Sequence, residues 1–440
     1  MSGGGGRCPF SSRRRFLAAA GGLAGTLSAA LVHPHIAAAT VPSAGSPAAS
    51  TEPFFGDHQG GILTRMQKHT YFVAFDLITD KASAIAKMLQ AWTTATARMT
   101  AGETAAPPIA DLAVPAADTG VALGLSPSRL TVTFGFGAGL FVRDGKDRLG
   151  LAARRPEALV DMPRFNGDQL VDARSGGDLS VQACADDPQV AFHAIRELAR
   201  LANDVAQIRW AQTGFSAEFA AEETPRNLMG FKDGTENPIA RQLGDEDRKP
   251  TASDIPNPEE LLWVGSEGPD WLRGGTYLVV RRIRIALEHW DATDVGFQEQ
   301  VIGRHRVSGA PLGGKSEFEP LDLAATDSDG NPLIPEDAHV RLAAAASNDG
   351  ARILRRAYSY NDGVNFTAER WPPWRQGIEY DAGLLFIAYQ RDPRTGFIKI
   401  FEPMSKLDAL NQFTTHTASG LFACPCGVKE GEFIGQRLFA

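Results

Sequence analysis

The sequence predicts an α+β fold in which one series of elements, β-α-β-β-α-β, occurs twice. Three observations lead to this prediction. Short apolar runs rich in β-branched and aromatic residues are typical of strands. A few longer segments carry apolar residues at helical spacing. The order of these elements is the same in residues 61–225 as in residues 226–440, so we predict these two ranges as domains.

The first half contains four predicted strands and two predicted helices. The first helix, at residues 81–99, has Ile85, Met88 and Trp92 on one face. The second, at residues 188–205, repeats this spacing with apolar residues from Val190 onward. The strands of this half are predicted at residues 71–77, 130–134, 179–183 and 208–212.

The second half repeats the series. Its strands are predicted at residues 276–283, 353–358, 384–389 and 421–424, and its helices at residues 288–303 and 404–413. Each half therefore has the order called ferredoxin-like. Halves of this type carry antiparallel sheets with helices on one face, which allows them to pack together. We predict a duplicated ferredoxin-like β-barrel with peripheral helices, of the dimeric α+β barrel type.

Composition and charge exclude several classes of protein. Hydrophobic residues make up 43% of the 440 residues and charged residues 22%, which excludes a wholly disordered chain. The 44 basic and 52 acidic residues give a net charge of −8, so the chain lacks the basic character of a nucleic-acid-binding protein. Four cysteines do not form a disulfide framework in so long a chain, and we interpret Cys424 and Cys426 as packing residues or free thiols.

The N-terminus has the pattern of a secretory signal. Arg13, Arg14 and Arg15 precede a mildly apolar run at residues 16–32, and three alanines at 37–39 are suited to cleavage. Paired arginines indicate the twin-arginine pathway, which exports folded proteins. A membrane anchor is the alternative, but 17 residues rich in Ala and Gly are short for a span. We therefore predict a signal peptide at 1–39, a flexible leader at 40–60, and a location in the periplasm, cell envelope or medium.

Local motifs for common cofactors are weak. The segment Gly135-Phe-Gly-Ala-Gly139 partly matches a dinucleotide-binding loop, but the position of the last required glycine holds Leu140. The segment that begins at Asp233 has the oxygen ligands of a calcium loop but not its spacing. The histidines are scattered rather than paired, which disfavours zinc but leaves open a metal held by a single axial imidazole. Long Pro- and Gly-rich connections at 222–274 and 304–338 are the expected location of the chemistry.

Several segments together resemble one family. The segment Gly230-Phe-Lys-Asp-Gly-Thr-Glu-Asn-Pro238 resembles the GxxDG signature of dye-decolorizing (DyP-type) haem peroxidases. Asp337-Ala-His-Val-Arg-Leu342 resembles their proximal-histidine segment, and Ile353-Leu-Arg-Arg-Ala-Tyr-Ser-Tyr360 their distal-arginine strand. The matches run in family order over roughly residues 60–430. With the twin-arginine signal, the chain most resembles the exported deferrochelatase/peroxidase branch linked to bacterial iron uptake.

The resemblance implies a role for each matching residue. His339 would be the proximal ligand of haem iron, Asp233 the distal acid–base residue and Arg355 the distal cation. The residues that follow Asp233 would line the haem edge: Gly234, Thr235 and Glu236. One haem b per chain would be bound in the C-terminal domain.

One segment departs from the family pattern. Where the family usually has Asn-Pro-Arg near the haem, this chain has Ala344-Ala345-Ala346. Arg341 or Arg304 is the predicted substitute as a propionate partner. Asp381 is a candidate to accept the second N–H of the His339 imidazole, since ligating histidines usually donate that group to a carboxylate or carbonyl.

These residue types suit peroxide cleavage, in which one oxygen loses a proton and the other gains one. A carboxylate can carry that proton, and an arginine supplies fixed positive charge where negative charge develops. We therefore predict a haem b peroxidase that reduces hydrogen peroxide and oxidises dyes, phenols or porphyrin-type donors.

Two alternatives stay open, a deferrochelatase that releases iron from haem and a non-catalytic envelope haem carrier. An iron-uptake system is a possible partner, and a homo-oligomer is possible. Nucleic-acid binding and a stable membrane span are not expected. Four aromatic residues are candidate surface electron relays: Tyr358, Tyr360, Trp371 and Trp374.

The arginine cluster provides a direct test of export. Replacing Arg13, Arg14 and Arg15 with lysine should leave the precursor in the cytoplasm, because the twin-arginine pathway recognises the paired arginines. Fractionation followed by immunoblotting measures the distribution, and an Arg7→Lys variant is the control. Normal secretion of the triple variant would reject this route.

Overall fold

The fold is known from a computed structural model that describes residues 50–217, 224–237, 258–368 and 376–439. The predicted signal peptide, residues 40–49 of the predicted leader, Trp371 and Trp374 lie outside the described residues. The α+β prediction is confirmed. The first half follows the series β1-α1-β2-β3-α2-β4, which is the predicted order.

Within the described residues, nine antiparallel strands form one sheet. Eight of them close into a barrel in the order β5-β9-β2-β3-β1-β4-β7-β8, since β8 also pairs with β5, and β6 extends the sheet beside β8. The strands are β1 His69–Leu77, β2 Thr131–Gly137, β3 Leu179–Ala185, β4 Ala206–Phe215, β5 Thr276–Ile285, β6 Leu354–Arg355, β7 Tyr358–Ala368, β8 Gln376–Gln390 and β9 Thr414–Cys424.

Helices surround the barrel in both halves. In the described part of the chain the α-helices are α1 Ala82–Thr100, α2 Pro188–Leu201, α3 Pro258–Leu261, α4 Leu287–Asp291, α5 Val295–Ile302, α6 His339–Ala343, α7 Phe397–Leu407 and α8 Gln436–Phe439. Short 3-10 turns lie at Ala138–Leu140, Ala152–Arg154, Asp172–Arg174, Ala345–Asn348 and Ala409–Gln412.

The side chains of β1 point alternately into two separate hydrophobic cores. Val73 and Phe75 pack in the layer that contains α1 and α2, whereas Phe72 and Ala74 belong to a second apolar cluster shared by strands of both halves. This follows from the two-residue period of a strand, which sends neighbouring side chains to opposite faces. In the helical layer, Trp92 Nε1 donates to the Leu198 carbonyl at 2.8 Å and connects α1 to α2.

Strand pairing joins the two halves at both seams of the barrel. Phe136 of β2 pairs with Ala423 of β9, and Phe215 of β4 pairs with Ser359 of β7. The division into domains at 61–225 and 226–440 stays a prediction. No helix in the described ranges combines the length and the hydropathy needed to cross a bilayer.

Three predicted elements of the second half differ from the structure. The helix expected at 288–303 is divided, because the Asp294 side chain caps a new helix by accepting from the Phe297 N–H at 2.9 Å. The strand expected at 353–358 is two strands, β6 and β7. The helix expected at 404–413 begins earlier and continues through Pro403, since Phe397 and Ile400 are buried on the same face as Met404.

The expectation that Tyr358 and Tyr360 lie near the surface is also wrong. Each side chain is 1% exposed. The two residues are separated by two positions on β7 and therefore point to the same face, where they pack with Leu385 and Tyr389 of β8 in the second apolar cluster.

Candidate active site

A cavity of about 340 Å³ lies in the second half of the chain, within the usual size range of ligand sites. Its lining residues come from strands β5, β6, β8 and β9, helices α5, α6 and α7, and the loops around them, including the loop at 227–237. Most of the wall is apolar, with Ile283, Ile285, Leu384, Phe386, Phe397, Ile400, Phe401 and Met404. The polar side chains Asp233, His339, Arg355, Asp408 and His416 also line it. The cavity therefore brings together the three residues to which the sequence assigns the chemistry.

His339 is the first residue of α6, and its imidazole orientation is fixed by Asp408. The side chain is 36% exposed, and it lines the cavity. Its Nδ1 lies 2.7 Å from Oδ2 of Asp408, whose other oxygen accepts from the Leu410 N–H at 2.8 Å. An ionised carboxylate can only accept, so Nδ1 carries the hydrogen. This leaves Nε2 as the ring atom able to bind a metal.

Burial and a neighbouring charge act in opposite directions on this imidazole. Burial disfavours the charged form, but the charge of Asp408 and the hydrogen bond to it outweigh that effect and raise the pKa of His339. The Asp408 side chain is almost fully buried, so its interaction with His339 is little screened by water.

Asp381 does not have the role suggested for it. Its Oδ1 accepts from Arg282 Nη2 at 2.7 Å, and the same guanidinium also binds Asp362. The carboxylate that binds His339 is instead Asp408. It follows His339 by 69 residues in the chain, at the end of α7, and no local motif identifies it.

Asp233 and Arg355 form an ion pair at the cavity wall. The Arg355 Nη2 donates to Asp233 Oδ1, and both side chains are partly exposed. The Asp233 N–H donates to the Pro225 carbonyl at 2.7 Å, which fixes the backbone of this loop. The next residue, Gly234, has a φ of +126°, a conformation that favours glycine. The glycine of the Asp-Gly motif therefore allows the turn that places Asp233 beside Arg355.

Asn237 connects this loop to the arginine strand. Its Oδ1 accepts from the Arg355 N–H at 3.0 Å, and its Nδ2 donates to the Arg355 carbonyl at 2.6 Å. The side chain thus replaces a strand partner for Arg355 on one side of β6, while Ala388 of β8 pairs on the other. The sequence argument did not identify Asn237, although it belongs to the same motif as Asp233.

The three residues after Asp233 line the cavity, whereas Arg304 and Arg341, the arginines predicted to bind a propionate, lie outside the described lining. Gly234, Thr235 and Glu236 all belong to the lining. Arg304 is buried and binds the Gly309 and Glu317 carbonyls and the Glu236 carboxylate, outside the described lining.

Arg341 is also absent from the described lining. Its guanidinium binds the backbone carbonyls of Leu323, Ile334 and Pro335. Both guanidiniums are therefore held by other groups in this structure, and their role as propionate partners stays a prediction.

Comparisons with known proteins find similarity over most of the chain. The family model described as Dyp-type peroxidase, N-terminal, matches residues 59–216, and the one described as Dyp-type peroxidase, C-terminal, matches residues 224–429. A dye-decolorizing peroxidase of Thermobifida fusca is 40% identical over 393 residues, covering 86% of this chain and 83% of that protein. A deferrochelatase of Escherichia coli K12 is 34% identical over 439 residues, covering 97% and 96%.

Solved structures are also similar over most of the chain. An oxyferrous complex of DtpA from Streptomyces lividans has a TM-score of 0.77 and 40% identity, covering 89% of this chain and 98% of that one. A DyP-type peroxidase from Cellulomonas bogoriensis has a TM-score of 0.75 and 36% identity, covering 90% and 99%.

The double hydrogen bond of Asn237 is testable by hydrogen exchange. In Asn237→Ala, the Arg355 amide loses its acceptor and should exchange faster by about 10-fold or more, since one hydrogen bond contributes about 0.5–1.5 kcal/mol and the amide also becomes solvated. Asn237→Asp keeps an acceptor oxygen and should keep this amide protected.

The neighbouring Arg356 amide is the internal control, because it donates to the Ile387 carbonyl in all variants. Unchanged exchange at Arg355 in Asn237→Ala would show that Asn237 does not hold the strand.

Proposed function

The chain belongs to the Dyp-type peroxidase family and is a haem peroxidase, and from this premise we propose how it works: one haem b binds in the cavity through His339, and Asp233 and Arg355 promote cleavage of hydrogen peroxide. One observation carries the proposal. An imidazole with its Nδ1 held by a carboxylate lines the same cavity as a carboxylate–guanidinium pair.

The described residues fit a haem group. Most of the wall is apolar, as the faces and edges of a porphyrin require, and His339 Nε2 is the kind of nitrogen that binds haem iron. The sequence has no Cys-x-x-Cys-His, so covalent attachment is not expected and haem b is the form proposed. Ala344 and Ala345 add small apolar side chains to the lining, where the family pattern has a polar segment.

The chain's own residues would move the proton during catalysis. A bound haem supplies the redox centre for the two-electron reduction of peroxide. Asp233 takes a proton from one peroxide oxygen and returns it to the other, so that water can leave. Its Oδ1 is held by Arg355, while Oδ2 has no hydrogen-bond partner among the described residues and is available for the proton. Arg355 keeps its charge and stabilises negative charge on the departing oxygen.

The electron donor and the destination of the protein are proposed from the relatives and the N-terminus. Dyes, phenols or porphyrin-type compounds are the proposed reducing substrates, in line with the name of the Thermobifida fusca relative. Release of iron from haem is the alternative activity, in line with the name of the Escherichia coli relative, and an iron-uptake system would then be the partner. We propose export through the twin-arginine signal to the periplasm or beyond.

The two activities differ in their products. Incubation with excess haem, peroxide and a dye as electron donor, followed by chromatography of the pigments, separates them. Intact porphyrin without iron indicates iron release, whereas oxidised dye with unaltered haem indicates peroxidase turnover alone.

The axial assignment predicts the haem content of three variants. His339→Ala should lose haem during purification, because it removes the iron ligand. Asp408→Asn should weaken haem affinity by about 10- to 100-fold, since it removes the carboxylate that orients the imidazole. Asp381→Asn is the matched control and should retain haem, because Asp381 binds Arg282 instead of His339. The Soret absorbance relative to protein concentration measures each outcome.

Two results would contradict this assignment. Full haem loading with an unchanged spectrum in His339→Ala would show that another group binds the iron. Equal losses in Asp408→Asn and Asp381→Asn would show that the effect comes from general destabilisation.

The distal pair predicts different pH profiles for two variants. Asp233→Asn should slow the reaction with peroxide by about 10²- to 10⁴-fold by removing the proton carrier, and Arg355→Leu by about 10²- to 10³-fold by removing fixed charge. The two ranges overlap, so the pH profile separates the roles. The wild-type rate should fall in acid as Asp233 becomes protonated, and this acid limb should disappear in Asp233→Asn but persist in Arg355→Leu. Stopped-flow spectroscopy measures both, and an acid limb that survives in Asp233→Asn would exclude Asp233 as the base.

A further inference from the structure

His416 of β9 is a second histidine in the cavity lining, and the proposed chemistry does not use it. Its side chain is about nine-tenths buried. Arg281 of β5 donates from Nε to His416 Nδ1 at 3.0 Å. A guanidinium has only donors and keeps its protons in proteins. Nδ1 must therefore be the acceptor in this contact, and the hydrogen of the neutral ring must be on Nε2.

The Arg281 side chain is held in place by its own contacts, and it therefore fixes the His416 tautomer that carries the hydrogen on Nε2. The guanidinium is fully buried and pairs with the carboxylate of Asp168. It also donates to Ser419 Oγ at 3.2 Å and lies 5.4 Å from the ring centroid of Phe401. Burial and the charge of Arg281 both lower the pKa of His416 well below its usual value, so the ring stays neutral.

The Nε2–H of His416 lacks an acceptor among the described residues. Only the contact at Nδ1 involves a hydrogen bond to this ring, and the neighbouring Phe401 ring is apolar. Because His416 lines the cavity, this donor can be satisfied by the group that occupies the cavity or by water.

Haem offers one kind of strong acceptor at its edge, the two propionate carboxylates, since its methyl and vinyl groups are apolar. Three cationic side chains at or near the cavity are engaged elsewhere, while Arg352 and Arg355 also line it. Arg304 and Arg341 bind backbone carbonyls, and Lys232 pairs with Glu317. A charged acceptor beside a preoriented imidazole N–H forms a strong hydrogen bond.

We propose that His416 donates a hydrogen bond from Nε2 to a haem propionate, with Arg281 fixing the ring so that this N–H faces the ligand. The Arg281–His416 pair is then a carboxylate subsite of the cavity. This inference rests on the proposed function, because it requires haem in the cavity.

The test compares two proteins and two cofactors. Wild type and His416→Phe are each reconstituted with haem and with haem dimethyl ester, in which both carboxylates are blocked. Transfer of the cofactor to excess apomyoglobin gives the dissociation rate. With haem, His416→Phe should dissociate about 10- to 100-fold faster, as expected for the loss of one hydrogen bond to a charged group. With the dimethyl ester, the two proteins should differ by no more than about 3-fold.

Thr414→Val is the matched control on the same strand. Thr414 also lines the cavity, but its hydroxyl donates to the Leu410 carbonyl at 3.2 Å, so its loss should not distinguish haem from the ester. An equal effect of His416→Phe on both cofactors, or no effect on either, overturns the proposal.

A second measurement does not depend on the folding of a variant. Nitrogen-15 NMR of histidine-labelled apoprotein should show the Nε2–H form of His416 near neutral pH. The Nδ1–H form would overturn the proposal. Failure of the proposed function looks different, since wild type would then fail to retain haem, or would retain it equally well after His339→Ala.

Discussion

The hydrogen bond from His339 to Asp408 is the contact on which the proposed chemistry of the cavity depends. A histidine can present either ring nitrogen, and a carboxylate at Nδ1 selects Nε2. Asp408 can do this because its second oxygen caps the turn after α7, so the carboxylate cannot rotate away. The same residue therefore ends a helix, starts a 3-10 turn and orients the proposed iron ligand. The Asp233–Arg355 pair can act on peroxide as proposed only if His339 holds the iron in this orientation.

The sheet positions the Asp233–Arg355 pair. Arg355 lies on β6, which pairs with β8, and β8 pairs in turn with β5 in the closed sheet. Asn237 binds the backbone of Arg355 and so positions the Asp233 loop relative to that strand. A closed sheet has few free edges, and side chains on its strands are therefore placed more firmly than side chains on loops. Polar groups from separate parts of the chain can then meet with fixed orientation.

The sequence predicted the parts of the structure that depend on local pattern. Strand alternation and helical spacing gave the element order, and the resemblance of the Asp-Gly segment to the family signature pointed to Asp233. The glycine after it adopts a positive φ in the structure. The pairings across the chain could not be predicted in the same way. Asp381 and Asp408 are both aspartates near predicted elements of the second half, and only the tertiary packing decides which one contacts His339.

The surroundings of Arg304 and Arg341 could not be predicted for the same reason, because a buried guanidinium such as that of Arg304 binds whichever carbonyls the fold brings near it.

A crystal structure of the haem-loaded protein tests the central claim most directly. The iron should be bonded to Nε2 of His339, with Nδ1 of the same ring on Asp408 and with Asp233 and Arg355 on the other face of the porphyrin. Iron bonded to His416, the other histidine lining the described cavity, or iron with no histidine ligand, would contradict the account.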